Sequence, residues 1–471
     1  MKMKHYIYGC LMVVLLSGCG TYKHMKQQLY APYERPEVST QGIVRDPLSA
    51  TDTLAVSDTT SFGNLPWRSV FTDSYLRELI EKGLTNNVDL LNAALNVKMA
   101  EQQLKTARLA FLPSFTFTPQ GTISSWDFGK VNKTYQLPIS ASWNVDLFGN
   151  LLSQKRAAQV ALLATKDYQT VVKTNIISAI ANMYYTLLML DSQLKVLDDM
   201  EELTKNTWDL MKLMKDTRIG YRSTSVQSAE SNYLSVQSQK IDMQRQIREV
   251  ENSLSLLIGQ PAQTIARGAL EDQSLPTEFS TGIAVNLLAN RADVHAAEMQ
   301  LAQCFYGIET ARSRFYPQLT ISPSGIFTNS AGAGVVNPGK ILLNAVASLV
   351  QPLYMKGQLT AGLRVAEAQY EQAYNTWQNS ILSAGSEVSN ALVQYNAADE
   401  KGRIEAQQIE VLKKNVEDTK TLMASAGNTT YLEVIQAQSS LLSAQISKIT
   451  DDFNKMQAVV NLYQALGGGA K

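Results

Sequence analysis

The period of the apolar positions changes twice along this chain, both times at nearly the same phrase. In TARLAFLPSFTFTP, residues 106–119, a helix-compatible run stops at Phe111-Leu112-Pro113, and Phe115 and Phe117 then alternate with Ser114, Thr116 and Thr118. TARSRFYPQLTISP, residues 310–323, repeats the switch. A period of two predicts a strand, and proline ends the helix before it because it lacks an N–H and clashes with the preceding turn. Helix-to-strand boundaries are therefore expected at Pro113 and Pro317. Further on, Leu137, Ile139, Ala141, Trp143, Val145 and Leu147 fall on one face, with Gln136, Ser140, Ser142, Asn144 and Asp146 on the other. About eleven residues with one apolar and one polar face have the length and pattern of a membrane-crossing β-strand. Residues 114–148 are expected to form a hairpin with 121–133 as its polar connection. Residues 318–353 form the second, clean over 318–327 and noisier over 341–353.

Elsewhere the pattern is helical. No proline stands between Pro138 and Pro261, and none follows Pro352, while Gly149, Gly220, Gly259, Gly357, Gly427 and Gly467 mark turns. Two very long helices, 150–218 and 358–426, are predicted, each ~100 Å at 1.5 Å per residue. Ile176, Ile180, Met183, Leu187, Leu190, Leu194 and Leu197 step by fours and threes, the seam of a left-handed coiled coil. So do Leu442, Ile446, Ile449, Phe453, Met456, Val460 and Tyr463. Shorter helices over 225–258, 87–112 and 290–316 are expected to pair end to end along the long ones, leaving 66–86 and 260–289 as a belt near the middle.

An internal repeat organises all of this. Asp89 and Asp293, Arg108 and Arg312, and Pro119 and Pro323 lie 204 positions apart; Leu147 and Leu353 lie 206 apart, Gly220 and Gly427 207, and Gly259 and Gly467 208. The first repeat is expected over 65–262, with strands in 114–148, the long helix 150–218 and a tip turn at 218–224. The second covers 263–471, with strands in 318–353, the long helix 358–426 and a tip turn at 426–430.

Composition narrows the function. The chain has 471 residues, with 42 basic against 42 acidic side chains, so no polyanion partner and no nucleic-acid binding is predicted. With three Cys and three His, no metal, cofactor or catalytic constellation is read from the sequence. Cys304 is expected to be a small buried residue and His295 a polar helix position. The N-terminus carries more information. Lys2 and Lys4 precede an apolar run, 7–16, too short to span a bilayer, ending in Leu16-Ser17-Gly18-Cys19. That resembles the bacterial lipobox, with 1–18 a signal peptide, Cys19 the lipidated first residue and 19–64 an extended tether to the membrane.

Two hairpins supply four strands, and four cannot close a barrel in lipid, where open edges leave backbone groups unsatisfied. Several chains must then share one barrel, and cyclic assembly removes the edges. The alternative is a lipid-anchored periplasmic coiled-coil scaffold without a pore.

LPWRSVFTDSYLRELIEKGLTNNVDLLNAAL (65–95), SWNVDLFGN (142–150) and NRADVHAAEMQLA (290–302) resemble the outer-membrane factor family, the TolC-like efflux channels, and the similarity extends over 65–466. The resemblance implies a mixed α and β membrane protein. It implies a homotrimer whose 12-stranded outer-membrane β-barrel, four strands per chain, continues into a long α-helical coiled-coil barrel across the periplasm. Such a duct does no chemistry and serves efflux or type I export with a periplasmic adapter and an inner-membrane pump. The family's two narrowing carboxylates, three residues apart after the second tip turn, fall on Glu433 and Gln436, of which only the first is acidic. The tip positions Arg218, Gly220, Arg222, Gly427 and Thr429 become candidates for adapter contact.

Overall fold

The computed structural model describes residues 30–37, 62–125, 127–217, 223–276, 291–328, 340–425 and 430–469. The first repeat comprises α1 (Trp67–Val70), α2 (Ser74–Asn86), α3 (Val88–Leu109), β1 (Ser114–Phe117), β2 (Gln120–Ser124), β3 (Asn132–Val145), α4 (Asn150–Thr217) and α5 (Ser223–Leu257). The second comprises α6 (Ala292–Ser313), β4 (Gln318–Thr328), β5 (Lys340–Val350), α7 (Gln358–Ser425) and α8 (Tyr431–Ala465). The two copies have equal helices: 22 residues in α3 and α6, 68 in α4 and α7, 35 in α5 and α8. The offset between copies does not drift as the sequence spacing suggests. It is 204 from α3 to β2 (Ser114 to Gln318) and 208 from β3 onward (Asn132 to Lys340, Asn150 to Gln358). The single step falls at the hairpin connection, because 329–339 is four residues longer than 125–131.

The turns recur at the same positions. Gly149 and Gly357 (φ 72° and 80°) precede the long helices, and Gly259 and Gly467 (φ 69° and 81°) close the shorter ones. These are left-handed conformations that glycine adopts without a Cβ penalty. A Cβ on Gly259 would also stand 2.8 Å from the Asn86 carbonyl oxygen.

The strands form one antiparallel sheet in the order β1-β3-β4-β5, with β2 also on β3. The pairs Phe117↔Ile139 and Gln120↔Gln136 belong to one register, so β1 and β2 are a single arm interrupted at Thr118–Pro119. The Thr118 N–H donates to the Pro138 carbonyl at 3.3 Å, and Pro138 has no N–H to return the bond. A matching gap separates Ser140↔Ser324 from Trp143↔Ile321 between β3 and β4, at Pro323. The expected connection 121–133 is corrected: the ladder continues to Ser124↔Asn132. Thr122, Ile123, Thr134 and Tyr135 are β-branched or aromatic and suit a pleated surface. The noisy stretch of β5 is also regular, since Ile341, Leu343 and Leu349 lie opposite Phe327, Gly325 and Leu319. Its noise comes from Val346 and Val350 at the other parity.

The chain divides into two compact units. One holds the sheet, with Leu95–Asp167, His295–Asn379 and the described N-terminal residues; the other holds Tyr168–Val294, Ser380–Lys471 and the residues up to Ala94. In the second unit α4 is buried on most of its circumference over residues 176–188: Ile176, Ile177, Ile180, Ala181, Tyr184, Tyr185, Leu187 and Leu188 are all below 6% exposed. That is broader than a two-helix seam, of which Met183 and Leu194 are only half-buried. The reason is close approach of α2, where a Cβ on Gly83 would meet Ile180 Cδ1 at 2.4 Å. Each fully buried aliphatic side chain contributes ~1.5–3 kcal/mol.

Candidate functional site

Registers place the odd-numbered strand residues on one face of the sheet and the even-numbered on the other. Odd positions include Phe115, Phe117, Ile139, Trp143, Ile321 and Leu343; even ones include Thr116, Ser140, Asn144, Thr320 and Ser324. On the polar face Thr116 Oγ1 and Ser140 Oγ are hydrogen-bonded at 2.9 Å, and Thr320 Oγ1 donates to Asn144 Oδ1 at 2.9 Å. The apolar face stands open, with Phe115 72% and Leu343 79% exposed. Tyr135 and Trp143 on that face are eight residues apart, ~27 Å along the strand, the separation of interfacial aromatics flanking an apolar band. Among the described residues, the arm β1–β2 on one side and β5 on the other each have one edge without a neighbour. Among the described residues no helix is long and apolar enough to cross a membrane.

At the helix-to-strand boundaries, Pro113 and Pro317 follow helix ends whose last carbonyls lack partners within the helix. Trp143 Nε1 donates to the Phe111 carbonyl at 2.9 Å, and Gln351 Nε2 to the Phe315 carbonyl at 3.0 Å. Phe111 and Phe315 are repeat mates, as are Trp143 and Gln351, so one device occurs twice. On the return path the Leu152 N–H donates to Asp146 Oδ2 at 2.9 Å, and Phe148 stacks on Tyr316 with centroids 5.0 Å apart.

Residues 30–37 have no regular structure yet are tied down in the same unit. Tyr30 Oη donates to the Leu147 carbonyl at 3.0 Å, and Arg156 Nη1 donates to the carbonyls of Tyr30 and Ala31. Arg35 forks onto Glu298 at 2.7 and 2.5 Å, with Glu298 5% exposed. Cys304 is half-buried, and burial pushes its thiol up. His295 is more than a polar helix position: its Nδ1 lies 2.6 Å from Asp167 Oδ2. Burial pushes the Asp167 carboxyl up, against the His295 bond.

In the other unit, α8 starts with Glu433 in its first turn. Val434, Ala437 and Gln438 are buried, so Glu433 and Gln436, one turn apart, are left exposed on the opposite side. Val434 joins Met211, Met214, Ala229 and Met423 in an apolar cluster. The Glu433 N–H donates to the Thr430 carbonyl at 3.0 Å, and Thr430 Oγ1 donates to Glu433 Oε1 at 3.3 Å. The helix's positive end favours a carboxylate there. Gln436 borders a groove of about 410 Å³ lined by Glu405, Gln408, Ser439, Ser440, Ser443, Ala444 and Ser447, a surface of hydroxyls and amides with one carboxylate. Cys19, Arg218, Gly220, Arg222, Gly427 and Thr429 lie outside the described residues.

Sequence reading missed the polar rungs between α7 and α8. Lys401 Nζ meets Asp451 at 2.9 Å, Lys455 Nζ meets Asp399 at 2.5 Å, and Ser447 Oγ donates to Glu405 at 2.7 Å. The Lys455 hydrogen bond holds the Asp399 carboxyl below its usual range. The spacing of four through Ser447, Asp451 and Lys455 was the available signal. Arg291 was missed too: it is 7% exposed and donates to the Ala465 carbonyl at 2.8 Å, to Asp293 at 3.0 and 2.6 Å, and to Glu387 at 2.8 Å. Its repeat mate Asn87 does the equivalent with an amide, Nδ2 to the Leu257 carbonyl at 2.9 Å. Among the described residues no His/Cys/Asp/Glu group could hold a metal ion.

A sheet with one apolar face and two open edges, joined through capped boundaries to helices of 68 residues, defines a channel-forming membrane protein with a helical extension. The chain belongs to the outer membrane efflux protein family, whose model fits residues 79–260 and 283–468, one stretch per repeat. It is 25% identical over 465 residues to the cation efflux system protein CusC of Escherichia coli K12, covering 96% of this chain and 97% of that one. With the pyoverdine export outer membrane protein OpmQ of Pseudomonas aeruginosa it shares 27% identity over 425 residues, 86% of this chain and 87% of the relative. The fold superposes on the open-state crystal structure of the MtrE outer membrane channel of Neisseria gonorrhoeae with a TM-score of 0.80, at 22% identity, over 93% of this chain and 98% of that one. The protein is thus an outer-membrane component of an efflux system.

Proposed function

We propose that the protein is the passive exit duct of a tripartite assembly. Three copies join their sheets into one 12-stranded barrel, their helices form the periplasmic coiled-coil barrel, and acyl chains on Cys19 anchor each copy in the outer membrane. The observation that carries this reading is the pair of open edges on a sheet whose apolar face is exposed. In hydrocarbon every backbone N–H and C=O must be paired, so the edges of one copy need those of another. A scaffold without a pore would have no use for that apolar face.

The tip is the gate in this reading. Three Glu433 carboxylates facing one axis attract cations and repel one another. Gln436, one turn on, contributes an amide ring with no charge, and the cation preference rests on Glu433 alone. The tip residues Arg218, Gly220, Arg222, Gly427 and Thr429 contact a periplasmic adapter, which an inner-membrane pump drives. The hydroxyl and amide surface beside Gln436 has little to select one cargo over another, which leaves the choice of cargo to the pump. Planar-bilayer recording of purified trimer tests the duct. Conductance is expected, with reduced cation preference in Glu433→Ala; absence of conductance in both proteins sinks the proposal. Radiolabelled fatty acid tests the anchor, since label retained in Cys19→Ala would rule it out.

A further inference from the structure

The apolar face of the sheet carries a groove of about 470 Å³. Its floor is one row of small residues across three strands, Ala141 of β3, Pro323 of β4 and Ala345 of β5. Pro323↔Ala345 is a direct pair, and Ala141 faces Pro323 in the register that links Ser140↔Ser324 to Trp143↔Ile321. Phe115, opposite Ala141, closes the β1 end, and Ile139 and Leu343 stand in the next row. These three side chains are 72%, 58% and 79% exposed and form the walls. Between Ile139 and Leu343 the floor continues as Gly325, where a Cβ would meet Leu343 Cδ2 at 3.4 Å, so Leu343 leans over the glycine. Ser324 and Asn344 also border the groove but belong by parity to the polar face. A narrow hydrocarbon chain suits such a space.

The duplication does not repeat this groove. Ala141 corresponds to Leu349 in the second repeat and Ala345 to Leu137 in the first, so leucines stand where a second floor would need small residues. Segment 30–37 likewise occurs once per chain, and it is tied to the same unit. Tyr30 Oη donates to the Leu147 carbonyl, and Arg156 holds the carbonyls of Tyr30 and Ala31. Leu147 lies six residues beyond Ala141, ~20 Å at 3.3 Å per residue. Cys19 precedes Tyr30 by eleven positions, a reach of up to ~36 Å. Ala141 is also only two residues, ~7 Å, from Trp143, whereas Tyr135 is six residues away. The groove is therefore the first apolar layer on the side of the helix boundaries, where residues 30 and 31 are held.

We propose that this groove seats an acyl chain carried by Cys19 of the same chain. The inference rests on the lipid anchor and the lipid-facing sheet proposed above, and it gives the anchor a place on the protein. In hydrocarbon, exchanging one apolar neighbour for another brings no hydrophobic gain, so packing decides. A methylene chain laid along Ala141, Pro323 and Ala345 makes the dispersion contacts that those small side chains leave unmade. A bilayer lipid seated there gives up lateral and rotational freedom. The anchor has already given up much of that freedom, because Tyr30 and Ala31 are fixed beside the strand end. One such groove and one acylated residue per chain also match in number. Once seated, the acyl chain bridges β3 of the first repeat and β4 and β5 of the second.

Photocrosslinking from the lipid tests the seat. Cells are fed a fatty acid that carries a diazirine and an alkyne, outer membranes are irradiated, and the protein is digested with trypsin. Mass spectrometry then reads which strand residues are joined to the lipopeptide 19–23, and separately which carry probe-bearing phospholipid. The expected map has lipopeptide adducts within 139–143, 321–325 and 343–347 about tenfold above the rest of the apolar face. Ala141→Leu combined with Ala345→Leu fills the floor with the residues that the duplication itself carries at positions 349 and 137. Adducts on the floor should then fall about tenfold, with native mass and probe on 19–23 unchanged. If the filled protein loses its native mass, the wild-type map decides alone. Lipopeptide adducts spread evenly over the apolar face, or undiminished in the filled protein, overturn the seat while leaving the anchor standing. Floor adducts made by phospholipid and not by the lipopeptide assign the groove to a bilayer lipid and overturn it as well. Absence of probe from 19–23 overturns the anchor on which the inference rests.

Discussion

Arg291 offers the sharpest test of the repeat, because the protein contains its own alternative solution. Its guanidinium ties the last carbonyls of α8 to Asp293 and Glu387 and is 7% exposed. Replacement with alanine removes a charge-assisted bond to Ala465, worth about 1.5–3 kcal/mol. The links to Asp293 and Glu387, whose side chains are 43% and 52% exposed, add about 0.2–1 kcal/mol each because water re-solvates both carboxylates. The loss is then about 2–5 kcal/mol. Asparagine is what the first repeat carries: Asn87 donates to the Leu257 carbonyl, and its Oδ1 accepts from the Asp89 and Leu90 N–H groups as the cap of α3. Arg291→Asn regains a neutral bond and a helix cap of about 1 kcal/mol each, halving the deficit. Amide hydrogen exchange over 460–466 measures the outcome in the intact assembly. Exchange is expected to rise about a hundredfold in Arg291→Ala and about tenfold in Arg291→Asn, at roughly 1.4 kcal/mol per decade. Equal exchange in the two variants, or faster exchange in the asparagine variant, would refute the equivalence of the two junctions.

Other expectations are simpler. Burial opposes ionisation of Asp73, but bonds from Tyr184 Oη at 2.6 Å, Gln273 Nε2 at 2.8 Å and the Tyr75 N–H hold its carboxyl below the ordinary range. The folded state then binds its proton less readily than the unfolded, so this stability is full above the ordinary carboxylate pKa near ~4 and is lost as pH falls through the folded value. Melting temperatures should fall less between pH 6 and pH 3 in Asp73→Asn than in wild type; parallel curves would contradict this. Trp143→Phe and Gln351→Leu each orphan one boundary carbonyl and should destabilise by about 1 kcal/mol, read from thermal unfolding in detergent. A double-mutant cycle on Lys455 and Asp399, with side chains 33% and 24% exposed, should return a coupling below about 1 kcal/mol. A value above 2 kcal/mol would show that the rung is drier than its exposure indicates.

Much of the architecture was legible because it depends on local chemistry. Proline-free spans bounded by Gly149 and Gly357 announced helices of 68 residues, and alternation from Leu137 to Val145 announced a strand. The interrupted arm at Pro119 was harder to read. Its proline was visible, but only pairing with Pro138 explains why the ladder breaks and then resumes in the same register. Contacts distant in sequence were illegible for a different reason. Arg291 reaches Ala465 across 174 positions and Arg35 reaches Glu298 across 263, and no spacing rule connects such residues. Glu433 was singled out only through resemblance, although Thr430 three residues before it has the spacing of a helix cap and marks the start of that helix from the residues alone.

The open edges of the sheet bear on genetics as well as on assembly. In a trimeric barrel each copy lends one edge to the next, so a chain damaged at β1–β2 or β5 spoils the whole ring that it enters. If damaged and intact chains are made in equal amounts and mix at random, about one ring in eight escapes. A lesion at either edge should therefore act dominantly, with efflux following the cube of the intact fraction. A lesion that prevents entry into the ring should be recessive and leave intact copies to assemble among themselves.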